Sequence, residues 1–157
     1  MIPRIVWIAS ACISAGIVAG MTAASAEVVA PDKVIIEDMT VGQSLTGQAG
    51  NPEEGRKVFA SRKLGNCLAC HANADLKNEL FHGQVGPPLD GAADRWEEPQ
   101  LRAILVNSKL VFGEQTIMPS FYRIYNDQRT QEKFHDKTIL SAEQIEDIIA
   151  YLKTLKE

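Results

Sequence analysis

Cys67-Leu68-Ala69-Cys70-His71 is the stretch whose residue types and spacing carry the clearest chemistry. Two thiols three positions apart lie on one side of a helical turn. Both can form thioethers with the two vinyl-bearing edges of a porphyrin, and the next residue, an imidazole, falls under the iron. C-x-x-C-H is the attachment signature of c-type haem. Two other chemistries use paired thiols. A thiol–disulfide redox pair favours a βαβ setting, whereas the neighbours here read as helical. A structural zinc site needs four N or S ligands, and outside the motif only His82 and His135 remain, neither at ligand spacing. One covalently attached haem c is the expected cofactor.

An iron already held by His71 takes its sixth ligand from another stretch. Met118 and Met39 are the thioethers outside the leader described below. Met118 lies about 47 positions beyond His71 and precedes Pro119, which resists helix and fixes a turn, so a loop can return across the far face. Met39 falls in an irregular arm. His82 and His135 are the nitrogen alternatives. His/Met ligation raises the reduction potential, and a second histidine would lower it. The other nitrogen of a ligating imidazole needs a partner. Gly86-Pro87-Pro88-Leu89 would supply it, with the Pro87 carbonyl accepting from His71 and Leu89 packing on the ring. Trp96 has two readings of equal weight: shielding the haem, with its indole N–H given to a propionate, or simple core packing.

The elements that must position these groups are helical. Asn51-Pro52-Glu53-Glu54 reads as a helix start, with an Asn cap, Pro in the first turn and acids where the dipole favours them. That helix is expected to run through Gly55, Val58 and Phe59 to about Lys63. Gly55 is costly inside it and predicts close packing by another element, with Tyr151 over Gly55 and Ile148 near Phe59. Pro99 begins a second helix with Leu101, Ile104, Leu105 and Ser108 on its inner side. Ser141 and Gln144 form a capping-box pair opening a helix expected to run to Lys156, with Ile145, Ile148, Ile149, Leu152 and Leu155 at helical spacing. Residues 72–96 read as mostly loop, and 122–138 as a polar surface excursion.

The first 26 residues read as a cleaved export signal. Arg4 is the basic start, Ile5 to about Gly20 the apolar run, and Ala24-Ser25-Ala26 the cleavage site. A membrane anchor is the competing reading, but spanning takes about 20 apolar residues and this run is shorter. Cys12 would leave with the leader. Periplasmic localisation follows, with no membrane anchor after cleavage. Residues 27–49 read as an extended arm with one short strand at Val34-Ile35-Ile36, and residues 50–157 as a single domain. The leader holds one base and no acid, so its loss takes the formal charge from -4 to -5. An acidic chain without a basic block is no nucleic-acid binder.

The initial helix, the Cys67–His71 motif, Gly86-Pro87 with Leu89, Met118 and the last helix together resemble a class I cytochrome c, an all-α fold of few helices around one haem. Three stretches, GNPEEGRKVFASRKLGNCLACHA, FHGQVGPPLDGAADRW and IMPSFYRIYND, are similar to SoxX, the monohaem subunit of the SoxAX cytochromes of thiosulfate oxidation. The resemblance implies His71 and Met118 as iron ligands and a SoxA-like cytochrome subunit as partner. It also implies a place in an L-cysteine S-thiosulfotransferase complex, which couples thiosulfate oxidatively to a carrier-protein cysteine. The catalytic haem, with a modified-cysteine ligand, would sit on the partner, and this chain would accept electrons for a downstream acceptor such as another cytochrome. No catalytic residue is expected here, since no Cys beyond Cys67 and Cys70 follows the leader. A free-standing electron carrier and a gas-binding or peroxidatic haem protein are the alternative functions.

Overall fold

The computed structural model describes residues 27–157, and the expected leader lies outside them. Four α-helices carry the fold: α1 (Pro52–Ala60), α2 (Ala92–Arg95), α3 (Glu98–Phe112) and α4 (Ala142–Leu152). Among the described residues there is no β-strand, only an isolated bridge between Glu37 and Thr40. The expected strand at residues 34–36 is absent. Its place is taken by a 3-10 turn at Pro31–Lys33 and a tight reversal, where Asp38 and Met39 both have positive φ.

Local chemistry sets the helix ends. Asn51 Oδ1 accepts from the backbone N–H of Glu53 at 2.9 Å and of Glu54 at 3.4 Å, satisfying donors a helix start leaves open. The helix stops at Ala60, three residues short of Lys63, because Ser61 is extended (φ -70, ψ 118). The chain then doubles back through Gly65 N–H to Val58 O (3.2 Å) and Asn66 N–H to Ser61 O (2.9 Å), with Asn66 left-handed. That reversal returns the Cys67 turn to α1. In α4, Ser141 Oγ accepts from Gln144 N–H and Gln144 Oε1 from Ser141 N–H, a complete capping box, and the helix ends at Leu152 rather than at the expected Lys156. For α3 the box is formed by Glu97 and Gln100, which puts Pro99 second in the helix rather than first.

α1 and α4 form the main helix contact. A Cβ on Gly55 would run into the Asp147 carbonyl, so only glycine allows this backbone approach. Tyr151 was the expected neighbour of Gly55. It lies instead one turn further along α4 than Asp147 and meets Phe59 edge-to-face, with centroids 5.5 Å apart and planes at 67°. The stripe Ile145, Ile148, Ile149 and Leu152 is buried against this junction.

The arm before Gly50 belongs to the core. Leu45 is fully buried and Val41 nearly so. The Val41 N–H donates to Pro99 O (2.9 Å), and the Leu45 N–H to Glu146 Oε1 (2.8 Å). Arg102 completes the clasp, donating to both Glu146 oxygens (2.8 and 2.9 Å), to Val41 O (3.0 Å) and to Glu98 (2.7 Å). Burial works against the guanidinium charge, and Glu146 and Glu98 more than offset it. Residues 123–137 are mainly exposed, as a surface excursion should be, while Tyr122 is buried and donates to Val29 O at 2.8 Å.

Candidate haem site

Cys67 and Cys70 flank a single 3-10 turn, Cys67–Ala69, opened by left-handed Asn66. The turn closes through Cys70 N–H to Cys67 O (3.1 Å) and His71 N–H to Cys67 O (2.9 Å). Both thiols are half-buried and unpaired. Burial pushes the Cys67 thiol up to about 12. A redox-active thiol needs the opposite environment, one that lowers its pKa, so the thiol–disulfide reading loses its support.

His71 Nδ1 lies 2.7 Å from Pro87 O. A carbonyl only accepts, so Nδ1 carries the proton and Nε2 keeps a free lone pair. Glycine makes this approach possible: a Cβ on Gly86 would sit 2.7 Å from His71 Nδ1, inside van der Waals contact. The backbone stitches the two segments together through Gly86 N–H to Cys70 O (2.8 Å) and Leu89 N–H to Ala72 O (2.9 Å). Gly83 contributes likewise, donating to Leu68 O at 2.7 Å. Leu89 is half-buried against the core and Pro87 is exposed. Arg95 braces the loop from outside, donating to Pro88 O (2.8 Å) and Asp90 O (2.6 Å).

Met118 comes from a different stretch, the loop after α3. It is half-buried against the core, and its carbonyl accepts from Ser108 Oγ at 2.7 Å. Met39 is 56% exposed on the arm's reversal, away from the buried core. His82 is occupied at both ring nitrogens: Asn73 N–H donates to Nδ1 (3.3 Å), and Nε2 donates to Leu76 O (3.0 Å). It stitches the loop after His71 and has no free lone pair for iron. His135 lies exposed in the surface excursion, bonded to Thr130 O. Trp96 is half-buried, edge-on to Phe112 at 6.3 Å, which fits its packing role.

The donor set fits a covalently attached haem. It offers two thiols on one turn, an imidazole with its Nε2 lone pair free, and a thioether from a second loop. No cluster of three or more His, Cys, Asp or Glu that could hold a bare metal ion occurs among the described residues. Apolar side chains beside both ligand stretches are exposed, Phe81 at 75% and Ile117 at 77%, as expected of surface that an apolar macrocycle would cover.

Several contributors leave no signal in the sequence. Arg95, His82 and Ser108 act on the site through backbone carbonyls and amides, and such bonds leave no trace in residue spacing. Tyr151 Oη accepts from Asn73 Nδ2 (2.9 Å) and donates to Asp75 Oδ2 (2.8 Å), tying α4 to the segment after His71.

The cytochrome c family profile matches residues 52–156. No curated protein matches the chain. Among solved structures, a chain of SoxXA from P. pantotrophus is 47% identical and superposes with a TM-score of 0.75. The match covers 82% of this chain and 98% of that one, more than the segment after Gly50 alone supplies, so it takes in residues before Gly50. No helix among the described residues is long and apolar enough to cross a membrane. The chain belongs to the cytochrome c family and is a SoxX-type monohaem cytochrome, carrying covalently bound haem c.

Proposed function

We propose that this chain is the electron-accepting subunit of a SoxAX-type complex that couples thiosulfate oxidatively to a carrier-protein cysteine. The observation that carries the reading is the likeness to a SoxXA chain over nearly all of that chain's length. Cys67 and Cys70 anchor the cofactor, and His71 and Met118 are its iron ligands. The bound haem supplies a one-electron iron couple, which a thioether ligand biases toward the reduced state.

The chain's own residues do the rest. Pro87 fixes the His71 tautomer and strengthens the imidazole as a donor through the 2.7 Å bond. Leu89 packs beside that segment. A Met118 thioether on the iron would keep exogenous ligands off it, which favours electron transfer over gas binding or peroxidatic chemistry. The chain has no cysteine besides Cys67 and Cys70 after the proposed leader. The sulfur chemistry therefore belongs to a SoxA-like partner, and electrons leave toward a downstream acceptor such as another cytochrome. Export to the periplasm, with the leader removed after Ala26, completes the reading.

Purification from the native host tests it. The expected result is a second, larger haem-staining chain that comes with this one, and reduction of this haem on adding thiosulfate and the carrier protein. A chain that purifies alone, and that thiosulfate does not reduce even with the larger haem protein added back, would instead be a free-standing carrier.

A further inference from the structure

α3 is broken near its end. Asn107 has φ -148 and ψ 80, far from helical values, and neither Pro nor Gly stands at the break to account for it. The residues at the break reach across to the returning loop in register. Asn107 Oδ1 accepts from Ser120 Oγ at 3.0 Å. Ser108 Oγ donates to Met118 O at 2.7 Å. Lys109 Nζ donates to Thr116 O. Three consecutive helix residues thus hold three alternate points of an antiparallel partner segment, with Met118 in the middle.

The hydroxyls in this ladder are deeply placed. Ser108 and Ser120 are both fully buried, 3.5 Å apart, and no buried side-chain polar atom among the described residues lacks a partner. A buried hydroxyl is disfavoured unless bonded, so serine at both positions serves the bonds rather than the packing. The loop itself has few apolar anchors: Gly113, Glu114, Gln115 and Ile117 are exposed. Its fixed points before Phe121, which is buried and donates its N–H to Leu105 O at 2.9 Å, are mainly polar.

We propose that Asn107, Ser108 and Ser120 are positioning residues for Met118, setting how firmly its thioether occupies the sixth coordination position. The inference rests on the ligand reading above. Ser108 fixes the Met118 carbonyl directly. Asn107, by turning out of helical geometry, brings its amide oxygen to Ser120 and holds the loop two residues further on. Losing a rung leaves the covalent attachment and the His71 side intact and frees the methionine to leave the iron.

The test is imidazole binding to the ferric holoprotein, read by visible absorption, with thermal melting measured in parallel. Ser108→Ala should raise the apparent imidazole affinity about tenfold, the equilibrium worth of one buried hydrogen bond, and lower the reduction potential. Ser108→Thr, which keeps the hydroxyl, should restore both. Asn107→Ala, at a half-buried position, should act in the same direction and covers the case in which Ser108→Ala does not fold. In a Met118→Ala background, Ser108→Ala should change neither reading. Unchanged imidazole affinity in both single variants, with Met118→Ala opening the site, would overturn the inference and leave the ligand reading standing. An equal shift from Ser108→Ala with and without Met118 would overturn it too. A Met118→Ala protein indistinguishable from the unmodified one would overturn the ligand reading and the inference together.

Discussion

The two stretches that carry the proposed iron ligands are held by different means. Around His71 the direct contacts are backbone: a 3-10 turn, glycines at 83 and 86 that let main chain approach ring and turn, and a Pro87 carbonyl on the imidazole, with the Arg95 and His82 side chains bracing the loops from outside. Around Met118 side chains do most of the holding, with a broken helix whose Asn107, Ser108 and Lys109 reach out to the returning loop, beside one backbone bond from Phe121 N–H to Leu105 O (2.9 Å). Backbone contacts shaped by glycine leave little freedom, so the His71 side is a fixed platform. Side-chain hydrogen bonds contribute about 1 kcal/mol each, so, on the proposed ligand assignment, the Met118 side is where ligation strength would be adjustable.

The largest effect should come from the platform's covalent part. Cys67→Ala combined with Cys70→Ala is expected to leave almost no haem on the chain, read by haem staining after denaturing electrophoresis. Haem released intact from the normal protein by acid-acetone would break the comparison at its root.

Arg102→Ala probes α3 away from both ligands. It strands Glu146 and the arm's carbonyl in the interior, and breaking a buried pair costs about 3–5 kcal/mol. Urea unfolding should show that loss, while the surviving folded protein keeps its visible spectrum. A changed spectrum would mean that the first part of α3 also controls the ligand set.

Gly86→Ala pushes a methyl toward the His71 ring. A strain of about 1–3 kcal/mol, the usual cost of overpacking, should appear as lower holoprotein yield and a shifted potential. No effect on either would show that the platform yields more readily than its backbone contacts imply.

The smallest effect concerns Asp75, on the segment after His71. The Tyr151 hydroxyl first, and then Arg56, hold its carboxyl below the ordinary value of 3.8. A depressed folded-state pKa adds stability that is present above the unfolded value and is lost as pH falls through the folded one. Asp75 is about half exposed, so the contribution is modest. Asp75→Asn should lower stability slightly at pH 6–7, with the difference from the unmodified protein closing as pH falls below the ordinary carboxyl value of 3.8 and through the depressed folded-state one. An unchanged difference across that range would assign the effect to hydrogen bonding alone.

The same contrast explains what the sequence made legible. The Cys67–His71 platform is local, spanning five consecutive residues, and its partner loop is announced by Gly86 and Pro87. Helix starts were equally readable, because caps at Asn51 and Ser141 act within three residues. The break at Asn107 was not, since Asn in a helical run carries no breaking signal of its own and its partner Ser120 is 13 residues away. The arm's burial leaves no local signal for a related reason. Val41 and Leu45 look like scattered apolar residues among Gly, Ser and Gln, and only the Arg102–Glu146 pair, 44 residues apart in sequence, shows why they are buried. Tyr151 meets Phe59, one turn along α1 from the expected Gly55, because apolar spacing gives a helix face but not the register of its contact.

The central claim is that Met118 closes the site opposite His71. It is tested most directly by recording the long-wavelength sulfur-to-ferric-iron charge-transfer band of the oxidised holoprotein beside that of Met118→Ala. The band should be present in the first and absent from the second, with a marked fall in reduction potential. A band and potential that survive the substitution would contradict the ligand assignment and the two-sided account built on it.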